Sequence, residues 1–387
     1  MIQIKDPKDC CGCTACASIC DHDAITMKPD PLGFLYPTVN EEKCIKCGLC
    51  ERVCAFNDHY DTNLNLNKPL VYGARHKDIH EVETSRSGAA FIAFSDSILE
   101  HGGVVYGAGY TDHFRVVHKR AITKEERDEF KGSKYVQSDM NTVFRQVKSD
   151  LKNGLMVLFS GTPCQTAGLN SYIEKRFRDN LYLLDIVCHG VPSPYVWRDY
   201  VKYVEEKYGG KITNIDFRNK RLCGWEDHKE SFVINGHEYL SSSYTNLFYS
   251  DILYRKACNI CYFANTNRPS DITLADFWGW EKTDEQFNTD NKGCSLIFCN
   301  TEKGSKWFES VKNQLYIIRP EFKDYLQPNL LQPSKASKKT AHFVYDYVHK
   351  GFPYCLKRYG NVGWRFKITT FKSKVVNKLN RIAKKIL

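Results

Sequence analysis

Nine of the seventeen cysteines in the chain lie within its first 54 residues, and eight of these nine form a repeat. The spacing C-x2-C-x2-C-x3-C occurs twice, 34 residues apart, at Cys10, Cys13, Cys16 and Cys20 and again at Cys44, Cys47, Cys50 and Cys54. Three closely spaced thiolates can hold three corners of an iron–sulfur cube, while the fourth, one helical turn further on, belongs to the sister cluster. We therefore predict one [4Fe-4S] cluster on Cys10, Cys13, Cys16 and Cys54 and another on Cys44, Cys47, Cys50 and Cys20. Cys11 falls outside this spacing.

A pair of zinc knuckles is the alternative interpretation of this repeat. Zinc needs four thiolates per site arranged as two pairs, so strings of four cysteines favour iron–sulfur clusters. The pattern resembles the bacterial two-cluster ferredoxin, with one departure: proline usually follows the fourth cysteine, and Asp21 and Ala55 stand at those positions.

Four further cysteines occupy positions that favour a metal or a reactive thiolate. Cys164 lies in the first turn of a helix predicted to begin at Thr162, directly after an apolar strand. Free backbone N–H groups and the helix dipole stabilise negative charge there. Cys188 follows a second strand in the same way, and Cys258 and Cys261 form a C-x2-C pair.

These four cysteines leave several interpretations open. They can hold a third cluster or a zinc ion, or Cys164 and Cys188 can be small buried residues of the core. A nucleophilic Cys164 assisted by His189 is a rival, although no motif identifies an acyl substrate. The remaining cysteines show no ligand spacing and are predicted to be ordinary core or surface thiols: Cys223, Cys294, Cys299 and Cys355.

The order of apolar segments and turns predicts a mixed α/β (α+β) chain that positions these cysteines. Residues 1–60 would form a ferredoxin-type unit, and the polar stretch 57–69 is typical of a linker. Helices and strands then alternate through residues 70–150 and 151–340, which predicts a larger mixed-sheet unit built from these two parts. Within it we predict a helix over 87–100, strands at VVYGAGY and FRVVHKRA, and a helix capped by Thr123.

The charge of the chain is concentrated in its last residues. The net charge is +10, but the segment from Tyr347 to the end has 11 Lys and Arg and no Asp or Glu, which leaves 44 basic and 45 acidic side chains before it. The neutral body argues against a nucleic-acid-binding protein. Helical spacing of apolar residues from Trp364 to Leu387 predicts a basic amphipathic helix in a tail over 345–387. This helix would lie on an anionic membrane, dock on an acidic redox partner such as a ferredoxin, or pack against the body.

The composition also predicts a cellular compartment. No apolar run reaches the 18 or more residues of a membrane span, and the first cysteine at position 10 leaves no room for a signal sequence. We therefore expect a cytoplasmic protein, with peripheral membrane contact confined to the tail. Seventeen cysteines in that compartment indicate metal or redox chemistry rather than disulfides.

Six motifs behind the ferredoxin-type unit occur in an order that is typical of one family. They are SRSGAAF, GGVVYGA, GSKYVQS, VLFSGTPCQTAGL, DIVCHGVPSP and RPSDITLADFWG. Over residues 1 to about 310 the chain resembles the family of coenzyme F420 hydrogenase/dehydrogenase beta subunits. The resemblance implies FAD and an additional [4Fe-4S] cluster on Cys164, Cys188, Cys258 and Cys261.

The same resemblance implies a flavin site, with His189 near the reacting ring. The residues expected near the flavin are Ser85, Ser87, Gly88, Ser133, Lys134, Tyr135, Gln137 and Thr162. Ala89 stands where the family often has a second glycine, and the residues alone give no flavin motif, since G-x-G-x-x-G is absent from the sequence.

Together these features predict an iron–sulfur flavoprotein oxidoreductase. Electrons would pass singly between the clusters and FAD, which would exchange a hydride with a deazaflavin or an organic substrate, with His189 as proton donor or orienting group. The alternatives are a ferredoxin-dependent reductase of an unsaturated or hydroxylated metabolite, a non-catalytic electron-transfer subunit of a larger complex, and a zinc-stabilised interaction protein. The expected partners are a ferredoxin or another redox protein and a small-molecule or deazaflavin substrate.

Overall fold

A computed structural model describes residues 1–360, and it confirms the predicted mixed α/β class. The strands in these residues are β1 (Ile25–Pro29), β2 (Leu35–Val39), β3 (Asn65–His76), β4 (Val104–Tyr110), β5 (Val116–Ala121), β6 (Val157–Gly161), β7 (Leu181–Ile186), β8 (Ile212–Asp216), β9 (Glu230–Ile234), β10 (His237–Ser241), β11 (Ile272–Asp276), β12 (Ser295–Thr301) and β13 (Leu315–Ile318). The α-helices are α1 (Ala15–Ser18), α2 (Leu49–Arg52), α3 (Ile79–Thr84), α4 (Ala90–Glu100), α5 (Lys124–Asp128), α6 (Val143–Lys152), α7 (Pro163–Tyr172), α8 (Pro194–Tyr208), α9 (Lys220–Cys223), α10 (Ser243–Tyr249), α11 (Glu302–Val311), α12 (Phe322–Tyr325) and α13 (Thr340–Tyr359).

The amino-terminal unit repeats its backbone as well as its cysteines. Helices α1 and α2 are 34 residues apart, and each follows two residues in the left-handed region. In the first repeat these are Gly12 and Thr14, with φ of 77° and 69°, and in the second they are Lys46 and Gly48, with φ of 58° and 77°. The antiparallel hairpin β1–β2 lies between the repeats in the chain.

The larger unit is built on an eight-stranded sheet with the strand order β13-β3-β12-β11-β7-β6-β4-β5. Strands β4, β6, β7 and β11 pair in parallel, and antiparallel strands complete both edges. The parallel pairing of β4 with β6 joins the two predicted parts, 70–150 and 151–340, in a single sheet. The predicted linker 57–69 is wrong over its last five residues because β3 begins at Asn65, where it pairs with Thr301 of β12.

Helices cover both faces of this sheet. Helices α6 and α7 share one core with the ferredoxin-type unit, and α4 and α11 pack on the opposite face. The predicted start of α7 is confirmed, with Thr162 and Gln165 forming a capping box and Pro163 in the first turn. Ser193 caps α8 in a similar way by accepting a hydrogen bond from the Val196 N–H. These two helix starts follow β6 and β7, so the carboxyl ends of two parallel strands lead directly to Cys164 and Cys188.

A small antiparallel sheet, β10-β9-β8, packs with α8 and α13 in a separate core. Strands β9 and β10 are joined by Asn235 and Gly236, both with positive φ, as a two-residue hairpin requires. Residues 345–360 of the predicted tail belong to α13 and its C-cap, whereas the predicted basic helix from Trp364 lies outside the described residues. None of the helices within residues 1–360 is long and apolar enough to cross a membrane.

Candidate functional site

The structure brings the predicted first set together: Cys10, Cys13, Cys16 and Cys54. Burial raises the pKa of Cys16, and the neighbouring thiols of Cys13, Cys10 and Cys54 raise it further. Burial likewise raises the pKa of Cys54 to about 11, and Cys13 and Cys10 again add to the shift. Buried thiolates that repel one another need a cation to hold them in the charged form. The donors of this set therefore fit an iron–sulfur cluster.

The predicted second set lines a single cavity near the surface. Its residues are Cys20, Cys44, Cys47 and Cys50. Cys20 belongs to the first repeat, so the exchange of the fourth cysteine between repeats is seen in the geometry. The N–H of Ile2 donates to Cys50 Sγ at 3.3 Å, whereas Cys47 is exposed.

The four further cysteines form the third set, and they line a cavity at the ends of β6 and β7 that we call the third cavity. They are Cys164, Cys188, Cys258 and Cys261. Burial raises the pKa of Cys258 to about 12 and that of Cys261 to about 11, and in both cases the neighbouring Cys164 adds to the shift. The N–H of Val191 donates to Cys258 Sγ at 3.4 Å, as peptide donors do around cluster sulfur.

Cys11, which the spacing leaves unassigned, lies between the first set and this third set. It is buried and lines the third cavity. The neighbouring thiol of Cys11 is the main cause that lowers the pKa of Cys164 to about 7, and it lowers the pKa of Cys13 as well. Apart from the adjacency of Cys11 to Cys10, no sequence signal points to this role. The loop that carries the first set therefore touches the third set directly.

All three sets consist of thiolates alone, the donors that iron–sulfur clusters use. In residues 1–360 no three His, Cys, Asp or Glu side chains converge as they would around a single ion. A four-iron cube holds its cysteines at separate corners instead. The assignment of iron to the three sets stays a prediction that their chemistry supports.

His189 lies on the rim of the third cavity with both ring nitrogens near polar partners. Its Nδ1 lies 2.9 Å from Oδ1 of Asn329, and its Nε2 lies 3.4 Å from Oδ1 of Asp251. Because an amide oxygen only accepts, the Nδ1 proton is on the imidazole and donates to Asn329. The ring is thereby held in one orientation beside the cysteines, as a positioned proton donor would need to be.

The predicted flavin residues separate into two groups, and one group is engaged in protein contacts. Lys134 Nζ donates to the carbonyls of Glu129 and Lys131 at 2.7 and 2.9 Å. Gln137 Nε2 donates to the carbonyl of Cys11 at 2.9 Å. Thr162 Oγ1 contacts Cys164 Sγ at 3.2 Å. These three side chains hold the protein and the cysteine loops, and Ser133, half-buried, precedes Lys134 in the same turn.

The second group consists of Ser85, Ser87 and Gly88 of the SRSGAAF motif, and of Tyr135, which follows Lys134. Ser85 Oγ is buried and has no partner among the described residues, and Ser87 Oγ donates to the carbonyl of Cys294 at 2.6 Å. A Cβ on Gly88 would lie 2.4 Å from the backbone oxygen of Ala74, so this glycine is required by packing. Tyr135 stacks on Phe248 at 4.4 Å between ring centroids.

A row of aromatic side chains connects His189 with the region of Ser85. We call it the aromatic row, and it consists of His189, Tyr249, His228, Trp278 and Trp225. Successive ring centroids are 5.9, 5.0, 6.0 and 4.3 Å apart.

Two arginines lie at the far end of the aromatic row, beside Trp225. Arg86 lies inside the SRSGAAF motif and donates to the carbonyls of Arg218 and Trp225. Burial lowers the pKa of Arg86 to about 10, and the neighbouring charge of Arg218 lowers it further. The Nε atoms of both arginines have no partner within residues 1–360. Sequence reasoning missed both arginines, although the motif that contains Arg86 pointed to the region.

Comparisons with known proteins match both units. Residues 155–324 match the family described as the carboxyl terminus of the coenzyme F420 hydrogenase/dehydrogenase beta subunit, and residues 9–57 match the 4Fe-4S dicluster domain. One of the subunits of the F(420)H(2) dehydrogenase of Methanosarcina mazei is 21% identical over 188 residues, which is 46% of this chain and 53% of that protein. The chain thus spans about half the length of this curated relative.

A similar chain is also found among solved structures. It comes from the xenon-derivatised F420-reducing [NiFe] hydrogenase complex of Methanosarcina barkeri, with a TM-score of 0.46 and 15% identity. The match covers 76% of this chain and 92% of that one.

Proposed function

The chain belongs to the family of coenzyme F420 hydrogenase/dehydrogenase beta subunits, with an amino-terminal 4Fe-4S dicluster domain, and from this premise we propose that it is an oxidoreductase that transfers single electrons between a redox partner and a two-electron substrate. The second set (Cys20, Cys44, Cys47, Cys50) lies nearest the surface, the first set (Cys10, Cys13, Cys16, Cys54) lies behind it, and the third set adjoins the first at Cys11. Bound [4Fe-4S] clusters would supply one-electron storage at each set.

The observation that carries this proposal is the contact of the Cys10–Cys13 loop with the third cavity. Cys11 lies beside both Cys13 and Cys164, so this residue brings the first and third sets into direct contact. The cysteine repeat predicts two clusters. The contact at Cys11 would add a third cluster, on the third set, to the same row of electron carriers. A row of electron carriers that ends beside His189 is suited to deliver electrons to a substrate site.

In this proposal FAD would lie along the aromatic row. At one end the Oγ of Ser85 and the Nε atoms of Arg86 and Arg218 are buried without a hydrogen-bond partner in residues 1–360, and aromatic rings extend from there to His189. FAD bound there would supply the exchange of a hydride with a deazaflavin or organic substrate on one side and of single electrons on the other. In this arrangement the protein contributes the fixed ring of His189, which holds a proton toward Asn329 and leaves Nε2 near Asp251.

The experiment that tests the proposal begins with composition. We expect about twelve irons, from three four-iron clusters, and one FAD per chain purified without oxygen. Bleaching of the flavin absorbance by reduced coenzyme F420 or by reduced ferredoxin would then identify the donor class. About eight irons without flavin would contradict the proposal and leave only the dicluster domain.

A non-catalytic electron-transfer subunit is the second candidate, and the curated relative favours it because that protein is named as one subunit of a dehydrogenase. In that case the isolated chain would hold its iron but would show no turnover with either donor. Turnover by the isolated chain would contradict this second candidate.

A further inference from the structure

Arg255 is a fully buried arginine that has no carboxylate partner in residues 1–360. Four arginines are buried in this part of the chain: Arg127, Arg218, Arg255 and Arg268. The other three each pair with an aspartate, Arg127 with Asp96, Arg218 with Asp276 and Arg268 with Asp185. A buried charge without a counter-charge is strongly unfavourable. The surroundings of Arg255 should therefore supply negative charge in another form.

The guanidinium of Arg255 faces the loop of the first set. Its Nε donates to the carbonyl of Cys10 at 2.6 Å, and its Nη2 lies 3.4 Å from Cys10 Sγ. Nη2 also donates to the carbonyl of Leu35 at 2.9 Å, and the ring of Tyr36 lies 4.1 Å from the guanidinium carbon. Within the described residues, the Cys10 sulfur is the one group in contact with this side chain that would carry negative charge as a cluster ligand.

The same residue belongs to the wall of the third cavity. The N–H of Cys258 donates to the carbonyl of Arg255 at 2.9 Å, three residues earlier in the chain. The charge of Arg255 acts favourably on the thiolates of Cys10 and Cys13 in the first set and of Cys164 and Cys258 in the third. Arg255 therefore contacts the first set at Cys10 and lines the cavity of the third set.

Gln137 fixes the position of this guanidinium. Its Oε1 accepts from Arg255 Nη1 at 3.1 Å while its Nε2 donates to the carbonyl of Cys11 at 2.9 Å. Gly12 leaves room for the contact, since a Cβ at this position would lie 2.8 Å from Arg255 Nη1. Neutral partners hold the arginine in place without cancelling its charge.

We propose that Arg255, positioned by Gln137, is the shared counter-charge of the first and third clusters and raises both of their reduction potentials relative to the second cluster. This inference rests on the proposed function, because it requires clusters on both sets. A cluster held by four thiolates is anionic, and reduction adds a further negative charge, so a nearby cation in a low-dielectric interior favours the reduced form. Electrons that arrive at the exposed second set would therefore be drawn inward.

The test is a redox titration of the full-length chain, followed by electron paramagnetic resonance of the reduced clusters. In Arg255→Gln we expect the equilibrium constant for one-electron reduction to fall about tenfold at two of the three clusters, a shift of about 59 mV to lower potential. The third midpoint should stay unchanged. Arg255→Lys keeps the charge and should recover most of the shift, although it loses the forked hydrogen bonds.

Arg145→Gln is the matched control. The Arg145 guanidinium also donates to carbonyls of a cysteine-bearing segment, those of Ala17, Ser18 and Cys20, but it is partly exposed and pairs with Asp23. Its loss should leave all three midpoints unchanged. Full iron content with unchanged potentials in Arg255→Gln, or an equal shift of all three midpoints, would overturn the inference.

A second variant keeps the inference testable where Arg255→Gln does not retain its iron. Gln137→Glu places a carboxylate against the guanidinium, neutralising the charge with the arginine in place, and should lower the same two potentials. Unchanged potentials in this variant would also overturn the inference. If the unsubstituted chain holds fewer than three clusters, the proposed function itself fails. Failure of the proposed function is thus distinguished from failure of the inference about Arg255, which requires three clusters with unchanged potentials.

Discussion

The two halves of the amino-terminal repeat share one backbone but differ in their surroundings. In the first half the loop around Cys13 is enclosed by the larger unit, and a Cβ on Gly168 of α7 would lie only 2.7 Å from Cys13 Sγ. In the second half Cys47 is exposed, and Ile45 beside it is 63% exposed. The cysteine motif therefore specifies a cluster site, whereas the unit that packs on it decides whether the site is an interior or a surface one.

The strongest test of this comparison replaces one cysteine in each half. Cys13→Ser and Cys47→Ser should each remove about a third of the iron. We expect Cys13→Ser to cost about 3 kcal/mol more in the free energy of unfolding, because its site is part of the core shared with α6 and α7. Anaerobic iron analysis and denaturant unfolding measure the two effects, and equal losses of stability would break the comparison.

A smaller effect is expected from the glycines of the two loops. Gly12→Ala and Gly48→Ala both place a side chain in the left-handed region, which costs about 1 kcal/mol in each case. At Gly12 the new Cβ would also collide with Arg255 and Gln137, whereas at Gly48 no atom of residues 1–360 outside its chain neighbours lies within 4 Å. Gly12→Ala should therefore be the more destabilising by up to about 3 kcal/mol in denaturant unfolding. Equal losses of unfolding free energy in the two variants would show that the Arg255 side chain moves away from the new Cβ at no cost.

Acid should destabilise the core that encloses the first half of the repeat, through protonation of His118. Burial lowers the pKa of His118 to about 4, and its ring contacts Ser138 Oγ at 2.8 Å and the carbonyl of Ser160 at 3.0 Å. Ser138 also accepts from Gln165 of α7, so this histidine is linked to the helix that carries Cys164.

The sign of the pH dependence follows from proton binding. The unfolded chain takes up a proton on His118 near pH 6.5 and the folded chain only near pH 4. The stabilisation by neutral His118 is therefore complete above pH 6.5 and is lost as the pH falls toward and through 4. At pH 5 the free energy of unfolding should be about 2 kcal/mol lower than at pH 7.5. His118→Gln should reduce this difference between unfolding free energies at the two pH values. An unchanged difference in that variant would contradict the assignment to His118.

The parts of the site that depend on local spacing could be predicted from the sequence. The repeat of cysteines and the cap at Thr162 both involve residues a few positions apart, and the structure confirms the cap. The propensities that create them act within one or two turns of chain. The grouping of Cys20 with Cys44 and Cys47 also followed from the repeat alone.

Other features could not be predicted because they depend on contacts between distant residues. Arg255 meets Cys10 across 245 positions of sequence, and Gln137 meets Cys11 across 126. Nothing in the neighbourhood of either residue signals a partner so far away. The start of β3 at Asn65 is similar, because a polar stretch becomes a strand only when β12 offers it a partner.

The smallest change in stability is expected at the exposed half of the repeat, where a redox partner would dock. Ile45→Asp should change the free energy of unfolding by no more than about 0.5 kcal/mol, since the side chain is largely exposed. Stopped-flow reduction by reduced ferredoxin should nevertheless slow by about tenfold, because a charge is placed in an apolar contact beside the exposed Cys47. Ile122→Asp is the control, because Ile122 is 55% exposed but follows β5 in the larger unit. A small dye such as methyl viologen should reduce the unsubstituted chain and both variants equally fast. If Ile45→Asp accepts electrons from ferredoxin at the unsubstituted rate, electrons enter elsewhere and the surface position of the second set has no part in partner docking.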